Sequence, residues 1–259
     1  MEIREFLEAK PVFTKRDIDD YLQGAKPDGY LSRVALVARL RRAGRVVMVR
    51  RGLFVSVPGG ENPESFRVDH FGVAGTLTSD AVISYRSALE FHGLAGPAQG
   101  GFEMIYSAVR PLPQFSFRGL VYRGVKFPKS LIRNGLQDLM VVTYNFNQVI
   151  LRVTSPERSL VDVIDRPDLV GGWSKALELL ANLTAVDLDA VIDYTKVLGN
   201  STTAAKVGYY LAGRSVDLGV KRRHLSALSA LKPNQPHYLD RSRRRNGRLV
   251  SEWNLMVDR

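Results

Sequence analysis

The 259-residue chain contains no cysteine. That removes disulfides, cysteine-ligated zinc and thiol nucleophiles together, and it fits a reducing cytoplasm. No apolar run approaches the ~20 residues needed to cross a bilayer. Residues 1–10 mix acids with apolar side chains and do not place a basic patch before an apolar core, so no secretory signal is read there. These absences lead to the expectation of a soluble, cytoplasmic protein with no membrane partner. Apolar residues still make up 45% of the chain, enough for a sizeable core. The length suits two domains of about 100–200 residues each.

A further absence is local. Between Asp28 and Glu61 there is no acidic residue, while the stretch carries Arg33, Arg39, Arg41, Arg42, Arg45, Arg50 and Arg51. The net charge of +11 is unevenly placed: residues 1–60 balance at +5, residues 61–195 at −3 and residues 196–259 at +9. Positive ends around a slightly acidic middle suggest two surfaces for a polyanion, because each neutralised phosphate releases condensed counterions. A generally basic protein kept soluble by its charge is the plainer alternative.

Local patterning gives those first sixty residues a form. Ile3, Phe6 and Leu7 have helical spacing over residues 3–9. Thr14-Lys15-Arg16-Asp17 has the Thr-x-x-acid form of a capping box, followed by apolar Ile18, Tyr21 and Leu22, with Gly24 as a stop. Lys26-Pro27-Asp28-Gly29 is turn chemistry. Ser32 can cap a third helix running to about Ala43, before Gly44. Strand-like residues 46–49 and 53–57 flank Arg50-Arg51-Gly52, and Pro58-Gly59-Gly60 closes the segment. Three helices and a hairpin predict a winged helix-turn-helix over residues 1–60.

The third helix sorts by face at about 100° per residue. Leu36, Val37, Leu40 and Ala43 form an inner side, and Ala35, Ala38, Arg39 and Arg42 an outer one with Ser32 at its border. Alanines permit close approach to a major groove, and arginines can reach guanine edges or phosphates. The DNA-contact residues predicted here are Ser32, Arg33, Ala35, Arg39, Arg42 and Arg45, with Arg50 and Arg51 at the wing tip. The bland reading is that alanines favour helices and outward arginines are merely solvated.

Residues 61–259 predict an α+β domain with a mainly antiparallel sheet flanked by helices. Residues 61–64 read as a linker. Helices are expected at 81–92, 154–164, 173–183, 188–196 and 202–212, and strands at 102–106, 120–125, 140–144 and 148–153. Thr154 or Ser155 caps the second of these helices, with Pro156 in its first turn. Lys221, Arg222 and Arg223 precede a helix-like stretch at 225–231. Arg243, Arg244 and Arg245 belong to a dense basic run, and both groups could add phosphate contacts without reading sequence. A solvated surface is the alternative.

No catalytic constellation emerges. His70, His92, His224 and His237 lack metal-ligand spacing to one another. The glycine-rich spots at 58–60 and 96–101 have no terminal Lys-Ser/Thr for a phosphate-binding loop. Asp162, Asp165 and Asp168 with Lys175 are the acids and lysine a magnesium nuclease would use, but Asp162 and Asp165 look like helix-face and helix-end residues. No enzyme activity, cofactor or metal is therefore expected.

Four segments, in this order, carry a resemblance: residues 46–57 (VVMVRRGLFVSV), 84–94 (SYRSALEFHGL), 153–167 (VTSPERSLVDVIDRP) and 238–257 (YLDRSRRRNGRLVSEWNLMV). Together the chain resembles the AbiEi-type antitoxins of bacterial abortive-infection, type IV toxin–antitoxin systems, over nearly its whole length. The resemblance implies a winged helix that represses its own operon at inverted repeats in double-stranded DNA. It also implies a C-terminal domain, 61–259, that counteracts a nucleotidyltransferase-like toxin without requiring a stable complex. The recognition-helix and wing arginines and, more loosely, the C-terminal basic cluster carry over, whereas no residue can be matched to antitoxicity. Two other readings stand beside it: a DNA-binding nuclease or restriction-associated protein, and a transcription factor that senses a ligand.

Overall fold

A computed structural model describes residues 2–24, 32–96, 103–240 and 247–258. The turn expected at Lys26-Pro27-Asp28-Gly29, most of the 96–101 loop and the basic run through Arg243, Arg244 and Arg245 lie outside the described residues. The chain is α+β and divides into two compact units. The first comprises Met1–Ile83, Gly100–Val125 and Thr143–Val153, the second Ser84–Gln99, Lys126–Val142 and Thr154–Arg259. No helix among the described residues is long and apolar enough to cross a membrane.

The first unit opens with α1 (Ile3–Ala9), β1 (Val12–Thr14), α2 (Lys15–Gly24), α3 (Arg33–Arg42), β2 (Val46–Arg50) and β3 (Leu53–Ser56). At the start of α2 the Thr14 amide and hydroxyl donate to Asp17 Oδ2 at 2.8 and 2.6 Å. Burial opposes the charge on Asp17, but these bonds and one from Lys10 outweigh it and hold the carboxyl below its usual range. Ser32 caps α3 by accepting from the Ala35 amide at 3.2 Å. Phe6, Leu7, Phe13, Ile18, Leu36, Leu40, Val46 and Phe54 form one apolar cluster, with Ile3, Tyr21, Leu22 and Val37 against it. Phe13 sits at its centre, 5.3 Å from the Phe6 ring edge-on and 5.5 Å from Phe54 stacked. The strand β1 was not expected: three residues are too few for a period-2 signal. It pairs antiparallel with β3 to give the order β1-β3-β2.

The same unit continues past residue 60 with α4 (His70–Gly75), β4 (Val82–Ile83), β5 (Glu103–Ala108), β6 (Phe115–Phe117), β7 (Leu120–Lys126), β8 (Val141–Phe146) and β9 (Val149–Thr154). The six strands lie in the order β6-β7-β5-β4-β9-β8. The sheet is mixed, because β4 runs antiparallel to β5 but parallel to β9. Residues 61–64 are not a loose tether. Arg118 donates to the carbonyls of Phe66, at 2.6 Å, and Pro63, and its guanidinium stacks 4.5 Å above the Phe66 ring. The first compact unit runs past residue 60, the boundary read from the sequence, to Ile83. Residues 82–83, expected in a helix, are a strand: Val82 and Ile83 are β-branched and fully buried, both pair with β5, and Ile83 pairs with β9 as well.

The second unit holds α5 (Tyr85–Phe91), α6 (Lys129–Asn134), α7 (Pro156–Asp165), a 3₁₀ turn (Pro167–Val170), α8 (Trp173–Leu180), α9 (Leu188–Leu198), α10 (Ser201–Gly213) and α11 (Arg222–Ser229). A small sheet of β10 (His237–Tyr238), β11 (Arg248–Val250) and β12 (Leu255–Val257) completes it. Ser155 caps α7 by accepting from the Arg158 amide, and Pro156 occupies the first turn as its fixed φ allows. Trp253 is buried against α10 at Gly208, where an ideal Cβ would stand 2.0 Å from the indole. Only a glycine fits that approach.

Candidate nucleic-acid interface

Along α3 the inner row is Leu36 and Leu40, 2% and 7% exposed, with Val37 half-buried beside them. The opposite side lies open. Ala38, Arg39, Arg41 and Arg42 are exposed and Ala35 is half-buried. Ala43, expected on the inner row, is exposed because it is the C-terminal cap and lies past the last packed turn. Arg42 Nε reaches back to the Ala38 carbonyl at 3.4 Å, which lays its stem along the helix. No acid stands on α3 itself.

The other predicted residues divide. Arg33 is ion-paired with Asp19 of α2, so part of its charge is already neutralised. Arg45 is half-buried, and its Nε has no hydrogen-bond partner among the described residues. Arg50, expected at a solvent-facing tip, is half-buried with its Cζ 5.0 Å from the Phe115 ring centroid. Its Nη1 is enclosed and finds no acceptor among the described residues. The cause is a register shift between Met48 and Arg50 that breaks the alternation of β2. Arg51, one residue further, is exposed as expected.

In the second unit, Lys221, Arg222 and Arg223 are exposed at the start of α11. The helix begins three residues before the predicted stretch, so the run occupies its cap and first turn. Three cations at the positive end of a helix dipole are locally unfavourable, which an anion there would relieve. Arg223 donates to Asp189 Oδ2 at 2.8 Å, a bond that holds the Asp189 carboxyl below its ordinary range. Lys221 and Arg222 remain exposed beside it.

Two of the acids weighed for catalysis, Asp162 and Asp165, serve internal partners. Arg158 Nε lies 3.4 Å from Asp162 Oδ2, both side chains being almost wholly buried, and Tyr194 donates to Asp162 Oδ1 at 2.7 Å. Burial pushes the Asp162 carboxyl up to about 6, against the opposing pull of Arg158. Asp165 accepts from Thr203 and, at 3.0 Å, from Asn200. Lys175 pairs with Glu178 at 2.7 Å, not with those acids. Among the described residues no three His, Cys, Asp or Glu side chains cluster as a metal site. The histidines are used singly: His70 meets Tyr122 at 2.7 Å, His92 the Thr154 carbonyl at 2.9 Å, and His237 Thr202 at 2.8 Å. A cavity of about 720 Å³ opens between α7, the 3₁₀ turn and α10, with Arg166, Asp168, Asn200, Thr202 and Lys206 among its walls. Sequence reasoning gave no sign of it, because its walls come from segments spread between Asp165 and Asp240.

No family model and no curated protein matches the chain. Its fold is similar to that in the crystal structure of the RV2827C protein from Mycobacterium tuberculosis, with a TM-score of 0.56 and 17% sequence identity. The match covers 98% of this chain and 89% of that one. At that identity the likeness speaks for the fold alone.

Proposed function

We propose that α1 to β3 form a winged helix-turn-helix that sets α3 in the major groove of duplex DNA, with the β2–β3 hairpin as wing. The observation that best supports this is the uncovered outer side of α3, where Ala38 permits close approach and Arg39, Arg41 and Arg42 supply the charge. A groove about 12 Å wide admits a helix of that kind. Arg51 on the hairpin and Lys221 and Arg222 on α11 are candidates for backbone contacts. Arg33 and Arg50 are weaker candidates, since Asp19 and Phe115 already engage them.

On the strength of the motif resemblance, the chain is further proposed to repress its own operon at inverted repeats and to act as the antitoxin against a nucleotidyltransferase-like toxin. The test is a pair of assays on the full chain. In a mobility shift at fixed low salt, the promoter fragment of its own gene should bind at least tenfold more tightly than a shuffled duplex. Co-expression with a nucleotidyltransferase encoded beside it should restore growth. Equal affinity for both duplexes defeats the repressor reading, and continued growth arrest defeats the antitoxin reading.

The cavity in the second unit favours one other reading, a ligand-sensing transcription factor. A small polar molecule that binds the protein and releases it from the promoter would support that alternative.

A further inference from the structure

Val34 is 74% exposed, far more than an apolar side chain on a packed helix needs to be. Isolated exposed valines are common on protein surfaces, so exposure alone assigns nothing. Its position is more informative. Helical geometry turns about 100° per residue, so Val34, Ala38 and Arg42 fall within an arc of about 80°. Leu36 and Leu40, the residues that anchor α3 in the core, lie on the far side. Val34 thus heads the outermost ridge of the helix, one turn before Ala38 and two before Arg42.

This ridge is graded along its length, apolar in the first turn and cationic in the last. Arg33 beside Val34 is drawn away to Asp19, which leaves the valine methyls as the chemistry offered at that end. In a major-groove complex the N-terminal residues of the recognition helix meet base edges. The apolar group available there is the 5-methyl of thymine, which cytosine lacks unless methylated. We infer that Val34 is a specificity-determining residue, reading a 5-methyl pyrimidine in each half-site while Arg42 and its neighbours hold guanine or phosphate. The inference rests on the DNA-binding reading given above.

The experiment removes the methyl from the DNA. The promoter fragment is amplified with deoxyuridine in place of thymidine, and its affinity is compared with that of the unmodified fragment. Loss of one buried methyl corresponds to about a fourfold loss of affinity. The native protein should therefore weaken by about that factor for each half-site contacted. Val34→Ala should bind thymine and uracil fragments alike, whereas Val216→Ala, which changes a valine 92% exposed in the second unit, should discriminate as the native protein does. Equal affinity of the native protein for both fragments, or an undiminished uracil penalty in Val34→Ala, overturns the inference. Failure of the native protein to prefer the thymine promoter over a shuffled duplex is a different result: it defeats the DNA-binding reading itself.

Discussion

Replacing Asp162 by alanine takes away half of a buried ion pair. The Arg158 side chain is 1% exposed and keeps two other acceptors, the carbonyls of Gln137 at 2.8 Å and Leu139 at 2.6 Å. Tyr194, also buried, loses the acceptor of its hydroxyl. Breaking a pair of this kind from one side costs about 3–5 kcal/mol, because the remaining charge stays in the interior. The two carbonyls offset part of that, so about 3 kcal/mol is expected at pH 7. Acidity adds a second signature. The Asp162 carboxyl titrates near 6 in the folded protein, above its unfolded value of about 4. Its protonation therefore stabilises the fold fully below about pH 4, and that contribution is lost as pH rises through 6. The gap between native protein and Asp162→Ala should widen as pH falls from 7 to 5. Urea unfolding at both pH values measures it. A cost under about 1 kcal/mol, or a gap that narrows on acidification, would refute the reasoning. Arg158→Met with Asp162→Leu, which removes both charges, should recover part of the loss, since the Gln137 and Leu139 carbonyls and the Tyr194 hydroxyl are left without these partners.

Other substitutions separate neighbouring roles. Gly208→Ala drives a methyl into the Trp253 ring and should cost about 1–3 kcal/mol, read as a lower thermal midpoint with altered tryptophan emission. An unshifted midpoint would mean that the helix and indole do not meet so closely. Arg51→Ala should flatten the salt dependence of DNA binding by about one phosphate contact, whereas Arg50→Ala should leave the slope alone and slightly lower stability. The reverse pattern would place Arg50 on the DNA. Changing Arg243, Arg244 and Arg245 together to alanine should lower the slope for every DNA sequence alike, and an unaltered slope would remove that cluster from the interface.

The helix ends of both units could be read from local signals. Ser32, Thr14 with Asp17, and Ser155 with Pro156 each end or begin a helix through bonds within three residues, and the structure contains all of them. The core row Leu36 and Leu40 followed from helical period alone. Features set by distant chain were not legible. β4 is a strand because β5 and β9 flank it, although 81–92 has helical spacing. The register shift that turns Arg50 toward Phe115 leaves no mark in the residues 46–53. Parallel pairing of β10 with β12 joins segments eighteen residues apart, beyond any local pattern. Val34 was passed over for a different reason. Helical period sets it beside Ala38 and Arg42, but the contact face was drawn from alanines and arginines, and its exposure is what marks it out.

The claim that α3 reads DNA is tested most directly by Arg39→Ala with Arg42→Ala. Both side chains are exposed on the outer side of the helix, so the fold should survive, as an unchanged circular dichroism spectrum and thermal midpoint would establish. Affinity for the promoter fragment at low salt should drop to that for a shuffled duplex, while rescue from the toxin persists. Promoter affinity equal to that of the native protein would contradict the account.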